Sequence, residues 1–128
     1  KRLDLPINRR AVTSYMKVNA KPVQDSTAYS VNITDIEIIK IADTETESAA
    51  DRASKIAANL GQAFIEGARM NNVRLTNNGT TVMVMSKNII TPTEEDAKLA
   101  GTTIENLAKN ASNSIKKALL NELLEQSI

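Results

Sequence analysis

Alternating apolar and polar positions predict a β-strand near the start of the chain. Across residues 11–19 the even positions carry Val, Ser, Met and Val, whereas the odd positions are mostly polar. This period of two is typical of a half-buried strand. The strand is expected to end at Lys21-Pro22, because proline restricts the backbone of the residue before it.

Residues 29–42 give the strongest strand pattern in the chain. Their apolar positions are odd-numbered up to Ile33, then switch to even-numbered, and return to odd-numbered at Ile39. Each change of parity moves the apolar side chains to the other face of the strand. We therefore predict a bulge or bend near Thr34–Asp35, or a central strand that is apolar on both faces.

Residues 48–69 carry apolar side chains at steps of three and four, which predicts an amphipathic α-helix. Ser48 followed by Asp51 resembles a capping box at the start of this helix. The many small side chains would let the helix lie close to a sheet. The apolar positions are Ala49, Ala50, Ala53, Ile56, Ala57, Leu60, Ala63, Phe64 and Ala68.

The segment from Val73 to Met85 predicts a β-hairpin. Its centre is Asn77-Asn78-Gly79, and Asn and Gly tolerate the positive φ angles that a type I′ turn requires. Thr91-Pro92-Thr93 is predicted to end the sheet.

Two helices are predicted after Thr93. The pattern Thr93-x-x-Asp96 starts a short helix, and Gly101 suits the left-handed residue that closes it. Thr102-x-x-Glu105 is a capping box that opens the last helix. The apolar face of that helix comprises Ile104, Leu107, Ala108, Ala111, Ile115, Ala118, Leu119 and Leu123.

These elements predict an α+β fold in the order β-β-α-β-β-α-α, with two main helices packed on one face of a mostly antiparallel sheet. Residues 11–128 are predicted to form a single domain, because the length fits one domain and no linker or internal repeat is visible. Residues 1–10 are basic and show no period. We interpret them as an extended arm, either an unstructured leader or an arm that docks on a neighbouring subunit.

The chain contains no cysteine and no histidine. This composition removes thiolate and imidazole nucleophiles and nearly all zinc, copper and iron sites. The four glycines are not grouped, so no phosphate-binding loop can be drawn. We expect a non-catalytic binding or assembly domain without a cofactor. The alternative is a hydrolase that uses only Asp and Glu, and it requires carboxylates that converge in a pocket.

Most of the carboxylates are expected at helix starts. Glu47 and Asp51 flank one predicted helix start, and residues 94–96 lie in the first turn of another. Carboxylates there interact favourably with the helix dipole. Calcium binding by the acids of residues 43–51 is the functional alternative, but the EF-hand spacing is absent.

The net charge is only +1, but the charges are unevenly distributed. Residues 1–21 hold six basic residues and one acid, whereas residues 35–51 hold six acids and one lysine. Two oppositely charged segments suit head-to-tail contacts between copies. Nucleic acid is not the expected partner, because the basic segment lacks interleaved aromatic residues. The candidate interaction residues are Arg2, Arg9, Arg10 and Lys17 on the basic side, and Asp43, Glu45 and Glu47 on the acidic side.

Several motifs spread over residues 36–120 match a known family. They are Arg52-Ala53, the Asn78-Gly79 turn, Thr93-x-x-Asp96-Ala97, Leu99-Ala100-Gly101-Thr102-Thr103, Glu105 and Leu107-Ala108. In these motifs the chain resembles the N-terminal extramembrane domain of bacterial, notably cyanobacterial, relatives of the small-conductance mechanosensitive channel. The family often has a tryptophan soon after the Leu-Ala pair, where this chain has Asn110-Ala111-Ser112.

The resemblance implies an accessory module of a membrane protein that lies outside the membrane and does not itself conduct ions. It also implies a periplasmic or membrane-associated extracytoplasmic location. The partners would be other copies of the chain or the rest of that membrane protein. The charge pattern leaves an alternative open: a structural subunit of a larger homo-oligomeric particle, such as a phage or filament component, whose basic arm contacts its neighbour.

Overall fold

The computed structural model describes residues 16–126, and within them it contains six β-strands and three α-helices. In chain order they are β1 (Val18–Pro22), β2 (Tyr29–Ile33), β3 (Ile36–Ile41), α1 (Ala49–Ile65), β4 (Val73–Thr76), β5 (Thr81–Val84), β6 (Lys87–Ile90), α2 (Glu94–Ala100) and α3 (Ile104–Gln126). A 3₁₀ turn at Met70–Asn72 precedes β4. The predicted α+β class is confirmed. The predicted arm and residues 11–15 of the first predicted strand lie outside the described residues.

The strands of the described region form two antiparallel sheets, β1-β2-β3 and β4-β5-β6, where one sheet was predicted. The observed order is β-β-β-α-β-β-β-α-α, so the prediction lacked two strands. The main helices also divide their contacts. Helix α1 packs on β1 and β2 and reaches β6, whereas α3 packs on β3, β4 and β5.

A hairpin turn explains the first parity change in residues 29–42. The chain reverses at Thr34–Asp35, so that Ile33 pairs with Ile36. Thr34 has a φ of 54°, and a β-branched residue is rare at positive φ. The apolar pattern predicted a bulge or bend at this place, but the residue types did not identify it as a hairpin turn that separates two strands. The bulge-like irregularity lies elsewhere, between Val31 and Asn32.

A second tight turn starts β6, the other strand that was not predicted. Met85 and Ser86 both have positive φ, 52° and 74°, although neither is a residue type that is enriched there. Val84 then pairs with Lys87. Strand β6 ends at Ile90, immediately before the Thr91-Pro92-Thr93 segment that was predicted to end the sheet.

The two sheets belong to two structural units of the same design, although the sequence shows no repeat. Each unit is a meander of three strands that leads into a helical segment. In both units the first strand pairs with the second in the same register, counted from the turn that follows the second strand. The pairing of the second strand with the third is irregular at the equivalent position in both units. The equivalent pairs are Val18–Ile33 and Val73–Val84, and the irregularities lie at Val31/Asn32 and Val82/Met83.

Helix α1 has the predicted cap at its start but ends earlier than predicted. The Ser48 hydroxyl accepts a hydrogen bond from the Asp51 amide. The helix ends at Ile65 because Gly67 adopts a φ of 97° and the Ala68 amide donates back to the Ala63 carbonyl at 3.0 Å. This pattern is a Schellman motif, which satisfies the last carbonyls of a helix.

The starts of α2 and α3 confirm one capping prediction and correct the other. Thr93 and Asp96 form the predicted reciprocal capping box, and Gly101 closes α2 with a φ of 70°. Helix α3 is capped by Thr103, whose hydroxyl accepts from the Asn106 amide at 3.1 Å. The prediction had placed this cap at Thr102.

The core is aliphatic except for Phe64, and it lies between the helices and the two sheets. Helix α1 contributes seven buried side chains, four of them alanine, and this allows the close approach to the sheet that the sequence suggested. They are Ala49, Ala53, Ile56, Ala57, Leu60, Ala63 and Phe64.

Candidate functional site

A buried ion pair between Arg52 of α1 and Asp96 of α2 connects the two structural units. The guanidinium donates through Nη1 to Oδ1 of Asp96 at 2.8 Å and through Nη2 to Oδ2 at 2.7 Å. The Asp96 side chain is fully buried, and that of Arg52 is 9% exposed. Two parallel hydrogen bonds of this kind fix the orientation of both groups as well as their distance.

Backbone groups complete the environment of the ion pair. Oδ1 of Asp96 accepts from the Ala42 amide at 2.7 Å, and Oδ2 accepts from the Thr93 amide at 2.9 Å. Nη1 of Arg52 also donates to the Ala42 carbonyl. The end of β3 and the starts of α1 and α2 are therefore held at one point.

The protonation behaviour of the pair follows from these contacts. Burial raises the pKa of Asp96, but the hydrogen bonds from Arg52, Ala42 and Thr93 and the charge of Arg52 outweigh it, so that the pKa lies below its ordinary value. The hydrogen bond to Asp96 raises the pKa of Arg52. Both groups are therefore held in their charged forms.

This geometry supports a structural role for Asp96. A carboxylate offers about four lone-pair directions, and four donors already occupy them. Within the described residues, every buried side-chain nitrogen and oxygen has a hydrogen-bond partner. The ion pair holds β3, α1 and α2 together, and the four donors leave no free acceptor position on Asp96 for a substrate.

Asp43, one of the candidate interaction residues, lies at the start of α1. Its Oδ1 accepts a hydrogen bond from the Ala49 amide at 2.6 Å. That bond, followed by one from the Thr27 hydroxyl, lowers the pKa of Asp43. The exposed carboxylate thus supports the first turn of the helix, as acids at helix starts were expected to do.

Glu47 and Glu45 lie on the same surface loop but differ in their contacts. Glu47 forms an ion pair with Lys55 of α1, and the hydrogen bond from this pair raises the pKa of Lys55. Glu45 is exposed and has no ion-pair partner among residues 16–126. Of the three predicted acids, Glu45 is therefore the one most available to a partner.

The loop borders an open depression of about 640 Å³. Its lining combines hydroxyl groups with three glutamates and includes Arg52. The lining residues are Thr44, Glu45, Thr46, Glu47, Arg52, Thr91, Thr93 and Glu95. Of these lining residues, only Glu45 and Glu47 were predicted as interaction residues. Residues 91–95 come close to residues 44–47 only because the two units pack together, and this packing could not be predicted from the sequence. The one sequence signal for Glu95 was its place in the first turn of α2.

Lys17 lies at the opposite end of the first sheet from these acids. Its carbonyl accepts from the Thr34 amide at 2.8 Å, beside the β2–β3 turn, whereas Asp43 follows the far end of β3. Strand β3 has six residues, which corresponds to roughly 16 Å at about 3.3 Å per residue. The structure therefore separates Lys17 from the acids. Arg2, Arg9 and Arg10 lie outside the described residues.

Helix α3 runs between the same two ends. It starts beside α2 and contacts the 3₁₀ turn, which follows the end of α1 that lies away from residues 43–47. We call the end formed by residues 43–47 and the first turns of α1 and α2 the acidic end. The opposite end, which holds Lys17 and the second half of α3 from Lys116 and Lys117 onward, is called the basic end.

Among the described residues, no group of three or more acidic side chains is arranged to hold a metal ion. No helix in that part of the chain is long and apolar enough to cross a membrane.

Comparison with known proteins gives one match. A family model described as Domain of unknown function (DUF8459) matches residues 30–122, which include both sides of the ion pair and the acidic end. No curated protein and no solved structure matches the chain.

Proposed function

The chain belongs to the family described as Domain of unknown function (DUF8459), and we propose that it is a non-catalytic accessory and assembly module that acts through contacts with other protein surfaces. The support comes from the carboxylates. Asp96 is saturated by Arg52 and two amides, Asp43 is bound to the start of α1, and Glu47 is paired with Lys55.

The module is further proposed to lie outside the membrane, in the periplasm or at an extracytoplasmic membrane surface, as part of a protein of the mechanosensitive-channel type. Two motifs that carry this resemblance, Arg52-Ala53 and Thr93-x-x-Asp96-Ala97, are in direct contact through the buried ion pair. The complete gene tests this location. A membrane-spanning segment beside the module is expected, and a gene without one contradicts it.

The observation that carries the assembly proposal is the separation of Lys17 from the acids of residues 43–47. Lys17 lies at the basic end, and Asp43, Glu45 and Glu47 lie at the acidic end, so these groups do not neutralise one another within one copy. Complementary patches at opposite ends favour a heterologous, head-to-tail contact between copies. The same observation favours the second candidate, a structural subunit of a larger particle such as a phage or filament component, whose basic arm contacts the next copy.

Light scattering at low salt tests the assembly proposal. The wild type is expected to associate, and Arg9→Glu/Arg10→Glu is expected to reduce its mass toward that of one chain. The matched control Lys98→Glu/Lys109→Glu makes the same change in net charge but leaves residues 1–21 unchanged, and it should still associate. An unchanged mass for the Arg9/Arg10 variant would contradict a role for the basic segment.

A further inference from the structure

The last turns of α3 expose apolar side chains at the basic end. Leu120, Leu123 and Leu124 are 39%, 56% and 54% exposed, and steps of three and four place them on one side of the helix. We call these three residues the leucine face. The side of α3 that faces the core is formed by other residues, all nearly fully buried: Leu107, Ala108, Ala111, Ile115, Ala118 and Leu119.

The leucine face has a basic border. Lys116 and Lys117 precede Leu120 by four and three residues, and residues at these spacings are neighbours on a helix surface. A surface that combines apolar area with positive charge is complementary to one that combines apolar area with negative charge.

The acidic end of the same chain has such a surface. Leu99 of α2 is 40% exposed. Glu95 lies four residues earlier on the same side of α2 and borders the open depression together with Glu45. An exposed leucine therefore lies next to Glu95, and Glu95 shares the depression with Glu45. Neither acid has an ion-pair partner within residues 16–126.

We infer that the leucine face of one copy binds the surface formed by Leu99, Glu95 and Glu45 on the next copy. This inference rests on the proposed self-assembly and names the contact that produces it. The occupant is a second copy because the chain itself carries the charges that complement Lys116 and Lys117, beside an exposed leucine, at its opposite end. Repetition of this heterologous contact produces an open chain of copies.

The apolar part of the contact is tested by Leu120→Gln/Leu123→Gln, since Gln preserves helix propensity. Sedimentation velocity over a concentration series should show an association constant at least about tenfold lower than that of the wild type. The matched control is Leu75→Gln, because Leu75 on β4 is also 39% exposed, and it should associate like the wild type. Circular dichroism checks that the variants remain folded.

The polar part of the contact is tested by charge reversal. Lys116→Glu/Lys117→Glu and Glu45→Lys/Glu95→Lys should each weaken association by about tenfold or more. A chain that carries all four changes restores the complementarity with the signs exchanged, so its association should recover. Failure of the fourfold variant to recover would contradict the pairing of these two surfaces.

The outcomes separate the inference from the proposal on which it rests. A wild type that remains monomeric throughout the series overturns self-assembly, and the inference with it. A wild type that associates at low salt while the Leu120/Leu123 variant associates equally well overturns the inference alone and leaves the proposed assembly standing on another contact.

Discussion

At the residue scale, the Arg52–Asp96 pair is the feature with the largest expected energetic effect. Removing two charges from water costs several kcal/mol per ion, so such a pair adds little net stability compared with apolar residues of the same volume. Loss of one partner is different, because the other charge then remains buried without compensation. Here Arg52 would also lose the group that orients it toward Ala42.

We therefore expect Asp96→Asn to lower the free energy of unfolding by about 3–5 kcal/mol. Guanidinium denaturation followed by circular dichroism measures this change. Glu94→Gln is the control: it removes an exposed carboxylate from the same helical turn and should cost less than about 0.5 kcal/mol. A loss below about 1 kcal/mol for Asp96→Asn would show that the pair is not important for stability.

The same carboxylate predicts a dependence of stability on acid. The folded-state pKa of Asp96 is lower than its ordinary value, so its contribution is complete above the unfolded pKa of about 4 and is lost as the pH falls through the folded value. Wild-type stability, measured by denaturation at successive pH values, should fall below pH ~4. Asp96→Asn should be less stable at neutral pH but have a flatter acid profile, and parallel profiles would contradict this explanation.

The sequence predicted half of this arrangement. The capping box of Thr93 and Asp96 could be predicted, because its residues are three positions apart and interact within one turn. The contact with Arg52 could not, because the two residues are 44 positions apart and the contact depends on how β3, α1 and α2 meet. For the same reason the acids of residues 43–47 were identified, whereas Glu95 was not assigned to their surface.

At the element scale, two glycines lie in helical segments and have opposite roles. Gly101 closes α2 in the left-handed region, with a φ of 70°, whereas Gly61 lies inside α1. A methyl group at either position would meet no other atom within 4 Å. Backbone conformation therefore decides the effect of an alanine at each site.

Gly101→Ala should destabilise the protein by about 1 kcal/mol, because alanine is strained at positive φ. Gly61→Ala should stabilise it by about 0.5–1 kcal/mol through higher helix propensity. Thermal unfolding of the two variants beside the wild type measures both changes. Shifts of the same sign would show that packing, rather than backbone conformation, controls these positions.

The accuracy of the prediction for each element depended on its turns. The β4–β5 hairpin was predicted from Asn77-Asn78-Gly79, and all three residues have positive φ. The turns at Thr34–Asp35 and Met85–Ser86 are equally tight, but the residues at positive φ in them are Thr34, Met85 and Ser86, which are not types that favour it. The cross-strand pairing of the flanking strands must therefore stabilise these turns. This is why two strands were missed although their apolar residues had been identified.

At the scale of the whole molecule, the charge separation predicts that association depends on salt. Contacts between exposed charges are screened strongly at about 1 M salt, where the Debye length is about 3 Å. The mass measured by light scattering should therefore decrease toward that of one chain as salt is added. Association that is independent of salt would indicate an apolar contact without the proposed contribution of charge.

The position of the ion pair between the two structural units also has a consequence for the rates of folding. Within each unit the strands pair with their sequence neighbours, and such local contacts can form early. The Arg52–Asp96 contact closes a much longer loop and should be absent from the transition state. Stopped-flow measurements should then show that Asp96→Asn mainly accelerates unfolding and changes refolding little. The ion pair would thus determine how long the folded molecule persists, and not how quickly it forms.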